Sequence, residues 1–132
     1  MGFDGIDCDW EYPGPYAGMN FTGSSADYTN FATLLQQVRT AIGTNKEISV
    51  CLSATPAKLN GFDWPAMVAV VDSLNLMTYD IQGGWSTIAG HNAPLYAYPG
   101  EEGGAVSAAA SVADLISRGF GELLLESLRN GT

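Results

Sequence analysis

Runs with the period of a strand alternate with runs that have the period of a helix, and that order is the strongest constraint on this 132-residue chain. Residues 2–10 form a short mixed run closed by Pro13-Gly14, which reads as a strand stopping in a loop. Residues 13–24, rich in Gly, Pro and small polar side chains, read as loop. Ser25 is placed to cap a helix in which Tyr28, Phe31, Leu35, Val38 and Ile42 share one face, with Gly43 as its stop. "ISVCLSA", residues 48–54, is a second strand, closed by Thr55-Pro56. Asp63 and Pro65 open a short helix running to about residue 71. "LNLMTY", residues 74–79, is a third strand. A loop over residues 81–104 separates it from an Ala-rich helix predicted over 105–118 and stopped by Gly119. Residues 123–125 begin like a further strand, and the tail then turns polar.

Strands alternating with helices argue for an α/β domain whose parallel strands are joined by crossover helices. Parallel sheets are covered on both faces, and the nearly uninterrupted apolar run at 48–54 fits that arrangement. A structureless loop of more than 20 residues is more often functional than idle. The formal charge of −9 disfavours nucleic-acid and anionic-membrane partners, which need cations. No apolar run approaches the roughly 20 residues that cross a bilayer. Cys8 and Cys51 lie in strand-like runs without a CxxC pair or a nearby His, so they read as two buried thiols.

Chemistry concentrates in "FDGIDCDWEYPG", residues 3–14, where Asp4, Asp7, Asp9 and Glu11 fall within eight positions. On a strand, Asp7, Asp9 and Glu11 project to one side, and Ile6, Cys8 and Trp10 to the other. Asp4 has the opposite parity from Asp7 and belongs to the turn before the strand. Successive carboxylates on one face have alpha carbons about 6.5 Å apart. Three in file cannot all ionise freely, so their titration is coupled and at least one holds a proton near neutral pH. A carboxyl kept protonated is what a general acid requires.

Other readings of the acidic row are weaker. An EF-hand loop needs Gly at its sixth position, where this chain has Tyr12 followed by Pro13. Two-metal phosphoryl transfer can be built on carboxylates, but no phosphate-cradling Gly loop or cationic cluster accompanies them. A solvated edge strand would leave Trp10 and Tyr12 exposed without purpose. No metal and no cofactor is called for.

"DGIDCDWEYPG" resembles the signature of the glycoside hydrolase family 18 chitinases, Asp-Gly-x-Asp-x-Asp-x-Glu, commonly continued as Trp-Glu-Tyr-Pro. "LNLMTYD", residues 74–80, is similar to the Met-x-Tyr-Asp element at the end of that family's sixth barrel strand. "SVCLSATP" resembles the fifth strand, and "GGW" with Trp85 matches the aromatic found after the sixth. The similarity runs from residue 2 to about residue 120.

The resemblance implies a TIM (β/α)8 barrel with its active residues at the C-terminal ends of the strands. It implies retaining cleavage of β-1,4-linked N-acetylglucosamine in chitin or chitooligosaccharides. The sugar's own acetamido oxygen attacks the anomeric carbon, so no protein nucleophile is required. Glu11 would then be the acid and base. Asp9 would bind the acetamido N–H, Asp7 would share a proton with Asp9, and Tyr79 would hold the acetamido oxygen. Met77, Asp80, Trp85 and Tyr12 would bind substrate, Trp85 by stacking. Trp10 and Trp64 are expected to pack, His91 to bond within its loop, and Tyr96 and Tyr98 to line the cleft. A non-catalytic chitin-binding lectin of the same fold and an endo-β-N-acetylglucosaminidase acting on N-glycans are the alternatives; retention of Glu11 favours an enzyme over a lectin.

A closed barrel takes about 250 residues, and this chain corresponds to the fourth strand through the sixth helix. The expected organisation is a partial catalytic domain over residues 1–120 and an atypical tail over 121–132. No signal peptide is read at the start, and the full-length family member is expected outside the cell. An open partial barrel would be poorly stable and weakly active by itself.

Overall fold

A computed structural model of the chain describes residues 2–16, 22–100 and 106–120. Three strands, β1 (Gly5–Cys8), β2 (Glu47–Ser53) and β3 (Ser73–Met77), form one parallel sheet in the order β1-β2-β3. Helix α1 (Ala26–Ile42) connects β1 to β2. A 3-10 turn (Pro56–Leu59) and α2 (Trp64–Val68) connect β2 to β3. Helix α3 (Ala108–Leu115) follows the long loop and continues as a wider turn over Ile116–Phe120. The predicted element order is observed. The strand expected at 123–125 and the tail over 121–132 lie outside the described residues, as do Gly103, Gly104 and the expected helix start at Ala105.

The register decides which side chains meet. Asp7 pairs with Ser49 and Cys8 with Val50 across β1 and β2, and Cys51 pairs with Asn75 and Ser53 with Met77 across β2 and β3. Ile48, Val50 and Leu52 are buried on the helix side, against Phe31 and Leu35 of α1 and Met67 of α2. Ser49 and Cys51 face the other way and are only partly covered. The expectation of a sheet covered on both faces is therefore corrected. "ISVCLSA" looks uniformly apolar because Ser and Cys are small, yet it alternates between a dry face and an open one.

The helices end where the chain chemistry ends them. Gly43 takes φ 77° and closes α1 by donating its N–H to the Arg39 carbonyl at 3.0 Å. Asp63 caps α2 by accepting from the Ala66 N–H at 3.2 Å, and Ser107 caps α3 by accepting from Ala110 at 3.3 Å. Ser25 makes no cap bond. Asp27, inside the first turn of α1, instead reaches back to accept from the Ser24 N–H at 2.8 Å.

Aromatic rings join these elements into one cluster. Trp10 meets Phe31 edge-on at 5.7 Å, Phe31 meets Phe62 at 6.0 Å, Phe62 meets Trp64 at 5.2 Å and Trp64 meets Phe120 at 4.8 Å. Trp10 and Trp64 thus pack, as expected. Tyr28 lies against two glycines: a Cβ added to Gly14 would come within 2.3 Å of its phenol, and one added to Gly61 within 2.0 Å. This close approach ties the loop after the acidic segment to α1 and to the turn after β2.

Candidate active site at the strand ends

All three strands end at the same side of the sheet, because they are parallel. Regular pairing of β1 stops at Cys8, and the chain continues through Asp9 and Trp10 to Glu11 and Tyr12, which are joined by a cis peptide bond. After β2, Ser53, Ala54 and Thr55 lead into the turn that carries Lys58. After β3, Met77 is followed by Tyr79, Asp80 and Ile81. These ten residues line one cavity of 190 Å³. Five of the eight residues picked from sequence, Glu11, Tyr12, Met77, Tyr79 and Asp80, are brought together here.

Asp80 adopts φ 54°, an uncommon conformation outside glycine but one that Asp tolerates. The turn is held by Asn92, whose amide donates to Asp80 Oδ1 at 3.0 Å and to the Gln82 carbonyl at 3.2 Å. The Asn92 carbonyl in turn accepts from the Ile81 N–H at 2.8 Å. The long loop therefore fixes the direction of a cavity carboxylate.

Asp7 does not reach the cavity. It turns onto the open face of the sheet, where Oδ1 accepts from the Ser49 hydroxyl and, at 3.1 Å, from the Asn75 amide, while Oδ2 accepts from the Cys51 thiol at 3.3 Å. The Ser49 bond leads in holding its carboxyl below the ordinary value of 3.8; partial burial opposes it, and the Cys51 and Asn75 bonds assist. Asp9 is also absent from the cavity lining. Burial, then the charges of Glu11 and Asp7, push its carboxyl above the ordinary value. The two neighbouring carboxyls are thus driven apart, the first downward and the second upward. Cys51 is not the inert buried thiol expected from sequence: burial and its bond to Asp7 raise it to about 11.

Lys58 is the functional residue that sequence patterning passed over. Its ammonium lies 3.9 Å from the Tyr12 ring centroid and lines the cavity with Glu11. Burial lowers its pKa, and the Glu11 carboxylate opposes that shift. The signal that points to it is position: one of only five Lys and Arg residues follows directly on the C-terminal end of a parallel strand. Tyr12 is raised by burial first, and then by its hydrogen bond and proximity to Glu11.

Trp85 lies outside the cavity and is 69% exposed, its ring against Gly83, where an added Cβ would sit 2.4 Å from a ring carbon. Tyr96 and Tyr98 do not line the cavity. The Tyr98 hydroxyl accepts from the His91 N–H at 3.1 Å, and the two rings meet edge-on at 4.9 Å. His91 is therefore a bonding residue of its loop, away from the cavity. Among the described residues, no group of three or more His, Cys, Asp or Glu side chains is arranged to hold a metal ion.

The chain matches the family described as glycosyl hydrolases family 18 over residues 1–123. Among curated proteins it is similar to endochitinase 1 of Metarhizium robertsii, 39% identical over 108 residues, a segment covering 75% of this chain and 23% of that protein. Among solved structures it is similar to the catalytic domain 2 of the Ostrinia furnacalis group II chitinase, with TM-score 0.79 and 32% identity over 89% of this chain and 31% of that one. A mutant of that domain in complex with penta-N-acetylchitooctaose superposes with TM-score 0.79 at 31% identity, over 89% of this chain and 31% of the other. The chain spans less than a quarter of the length of the first curated relatives it matches.

Proposed function

Since this chain belongs to glycosyl hydrolase family 18 and forms three neighbouring strands of an unclosed TIM barrel, we propose that it carries the catalytic core of a chitinase that cleaves β-1,4-N-acetylglucosamine linkages with retention. The observation that carries this reading is the shared cavity of Glu11 and Tyr79. They follow different strands, they meet at the C-terminal ends, and acid and phenol face the same space.

Glu11 is exposed to the cavity and protonates the glycosidic oxygen, then serves as base for the incoming water. The acetamido oxygen of the sugar closes onto the anomeric carbon, so the protein supplies no nucleophile. Tyr79 donates its hydroxyl to that oxygen and fixes the line of attack. Asp9, bearing a proton more readily than an ordinary aspartate, binds the acetamido N–H and offsets positive charge on the ring as it forms. Asp7 stands behind it as the partner in proton sharing. Met77, Tyr12 and Asp80 shape the sugar pocket, and Trp85 offers its exposed indole to an apolar sugar face. Chitin is a polymer too large to enter a cell, so the whole protein works outside the membrane.

The test is release of fluorophore from an N-acetylchitooligosaccharide by the polypeptide carrying this segment, with Glu11→Gln alongside. Loss of general acid catalysis lowers turnover by about 100-fold or more, with oligosaccharide binding retained. Unchanged turnover in Glu11→Gln removes Glu11 as the acid, and binding without any turnover in the unmodified protein makes it a lectin.

A further inference from the structure

The open face of the sheet carries a polar cluster that the cavity chemistry does not use. Asp7 sits at its centre. Its two oxygens accept three hydrogen bonds, from Ser49 and Cys51 on β2 and from Asn75 on β3. The register makes this arrangement obligatory: Asp7 pairs with Ser49, and Cys51 pairs with Asn75, so all four side chains lie on the same face of adjacent strands.

The donors restrict what Asp7 can do. An ionised carboxylate only accepts hydrogen bonds, whereas a protonated one must also donate. With Ser49 and Asn75 both donating to Oδ1 and Cys51 donating to Oδ2, adding a proton to Asp7 forces one donor to turn or leave. The titratable groups facing Asp7 are Asp9 on its own segment and Cys51 on β2; Ser49 and Asn75 carry no charge. Among the described residues, the ion pairs are Arg39 with Asp72 and Arg118 with Asp114, so no cation pairs with Asp7. Neutral donors alone stabilise its charge.

We propose that Ser49, Cys51 and Asn75 are positioning residues for the family 18 reaction: their three bonds fix Asp7 as the proton-free member of its pair and thereby assign the shared proton to Asp9. The proposal rests on the chitinase reading for its consequence, because Asp9 is the residue that meets the substrate amide. Its geometry does not depend on that reading. The opposed shifts of the two carboxyls, downward for Asp7 and upward for Asp9, agree with that assignment.

The experiment is a pH titration of the aspartate side-chain carbons by NMR in the folded protein, without substrate, with Asp7→Asn and Asp9→Asn spectra to assign the two signals. The unmodified protein shows Asp7 titrating below 3.8 and Asp9 above it. Asn75→Leu and Ser49→Ala each remove one donor, so Asp7 moves up and Asp9 moves down, each by about half a unit or more. Cys51→Ser replaces a weak donor by a stronger one and moves both signals the opposite way. A packing role predicts no such reversal. Overlapping Asp7 and Asp9 midpoints in the unmodified protein overturn the proposal, as do unchanged midpoints in Ser49→Ala and Cys51→Ser, the two mildest replacements. Opposed shifts in a protein that cleaves no chitooligosaccharide overturn the chitinase reading and leave the positioning role standing.

Discussion

The Lys58 ammonium lies over the Tyr12 ring, 3.9 Å from its centroid, and joins the segment after β1 to the turn after β2. The contact closes one wall of the cavity beside Glu11. A cation on a phenol face is worth about 0.5–2 kcal/mol, depending on how much water is excluded. Lys58→Met keeps the aliphatic stem and loses the charge, so it lowers stability by about 0.5–1 kcal/mol. Tyr12→Phe keeps the ring and costs less, and Tyr12→Leu costs at least as much as Lys58→Met. Urea unfolding of the three variants and of the Lys58→Met/Tyr12→Leu double variant checks the order; additive effects in the double variant exclude the ring contact as the source.

Arg39 holds the C-terminal end of α1 to the start of β3. Its guanidinium donates to the carbonyls of Val70 and Gly43 at 2.9 Å and of Lys46 at 2.5 Å, and pairs with Asp72 at 2.5 Å. Asp72 also accepts from the Ile48 N–H at 2.7 Å, so one network spans α1, β2 and the segment entering β3. Arg39→Ala leaves several carbonyls without a donor and lowers stability by about 2–3 kcal/mol. Arg39→Lys recovers only a small part, because an ammonium cannot reproduce the planar fork. Denaturant midpoints at constant slope provide the measurement.

Gly61 is required by Tyr28. A Cβ at this position would sit 2.0 Å from a carbon of the Tyr28 ring, whose hydroxyl end Gly14 also approaches closely. The ring has little room to retreat, so Gly61→Ala displaces it and lowers stability by about 1–3 kcal/mol. Adding Tyr28→Ala relieves the clash, and the penalty of Gly61→Ala measured in that background falls to about a few tenths of a kcal/mol.

Local chemistry was legible wherever one residue type could do one job. Gly43 and Asp63 end and begin helices by backbone geometry and a single side-chain bond, and both do so here. Ser25 failed as a cap because Asp27, two residues on, carries the stronger acceptor and takes the free N–H of Ser24. The acidic segment was read as one regular row, but the strand ends at Cys8. Past that point the two-residue alternation no longer governs direction, so Asp7 turns to the sheet face while Glu11 turns to the cavity. Lys58 escaped notice because its importance comes from the register of β1 against β2, a long-range pairing that no local pattern encodes. Trp85, placed by its Gly-Gly context in a loop, is indeed exposed there but stands outside the cavity.

Asn92 determines where Asp80 points, and this separates binding from chemistry. Its amide and carbonyl bond the turn at Asp80, Ile81 and Gln82, while Asn92 itself is outside the cavity lining. Asn92→Ala frees the carboxylate of Asp80 without touching Glu11 or Tyr79. KM for a chitooligosaccharide rises by about 5- to 50-fold, the range expected for loss of one or two well-placed hydrogen bonds. The turnover number changes much less. A loss confined to turnover would show instead that Asp80 acts on the transition state.

Asp9 and Asp7 make opposite contributions to stability. The Asp7 carboxyl is lowered in the folded state, so its bonds stabilise the fold above the ordinary value of 3.8 and lose that effect as pH falls through the lower, folded value. Asp9 is raised, so its contribution is full below 3.8 and is lost as pH climbs through the higher, folded value. Near neutral pH the charged Asp9 therefore works against folding, squeezed between burial and the charges of Glu11 and Asp7. Asp9→Asn removes that repulsion. It unfolds at a higher urea concentration than the unmodified protein at pH 7, and the advantage disappears at pH 3. Asp7→Asn does the reverse, with a deficit at pH 7 that shrinks at pH 3. Both substitutions depress chitooligosaccharide cleavage, because the pair supplies the proton arrangement that meets the substrate amide. A variant at Asp9 that gains stability while losing activity is the signature of a carboxyl kept for its chemistry against its cost to the fold; equal urea midpoints for Asp9→Asn and the unmodified protein at pH 7 would remove that explanation.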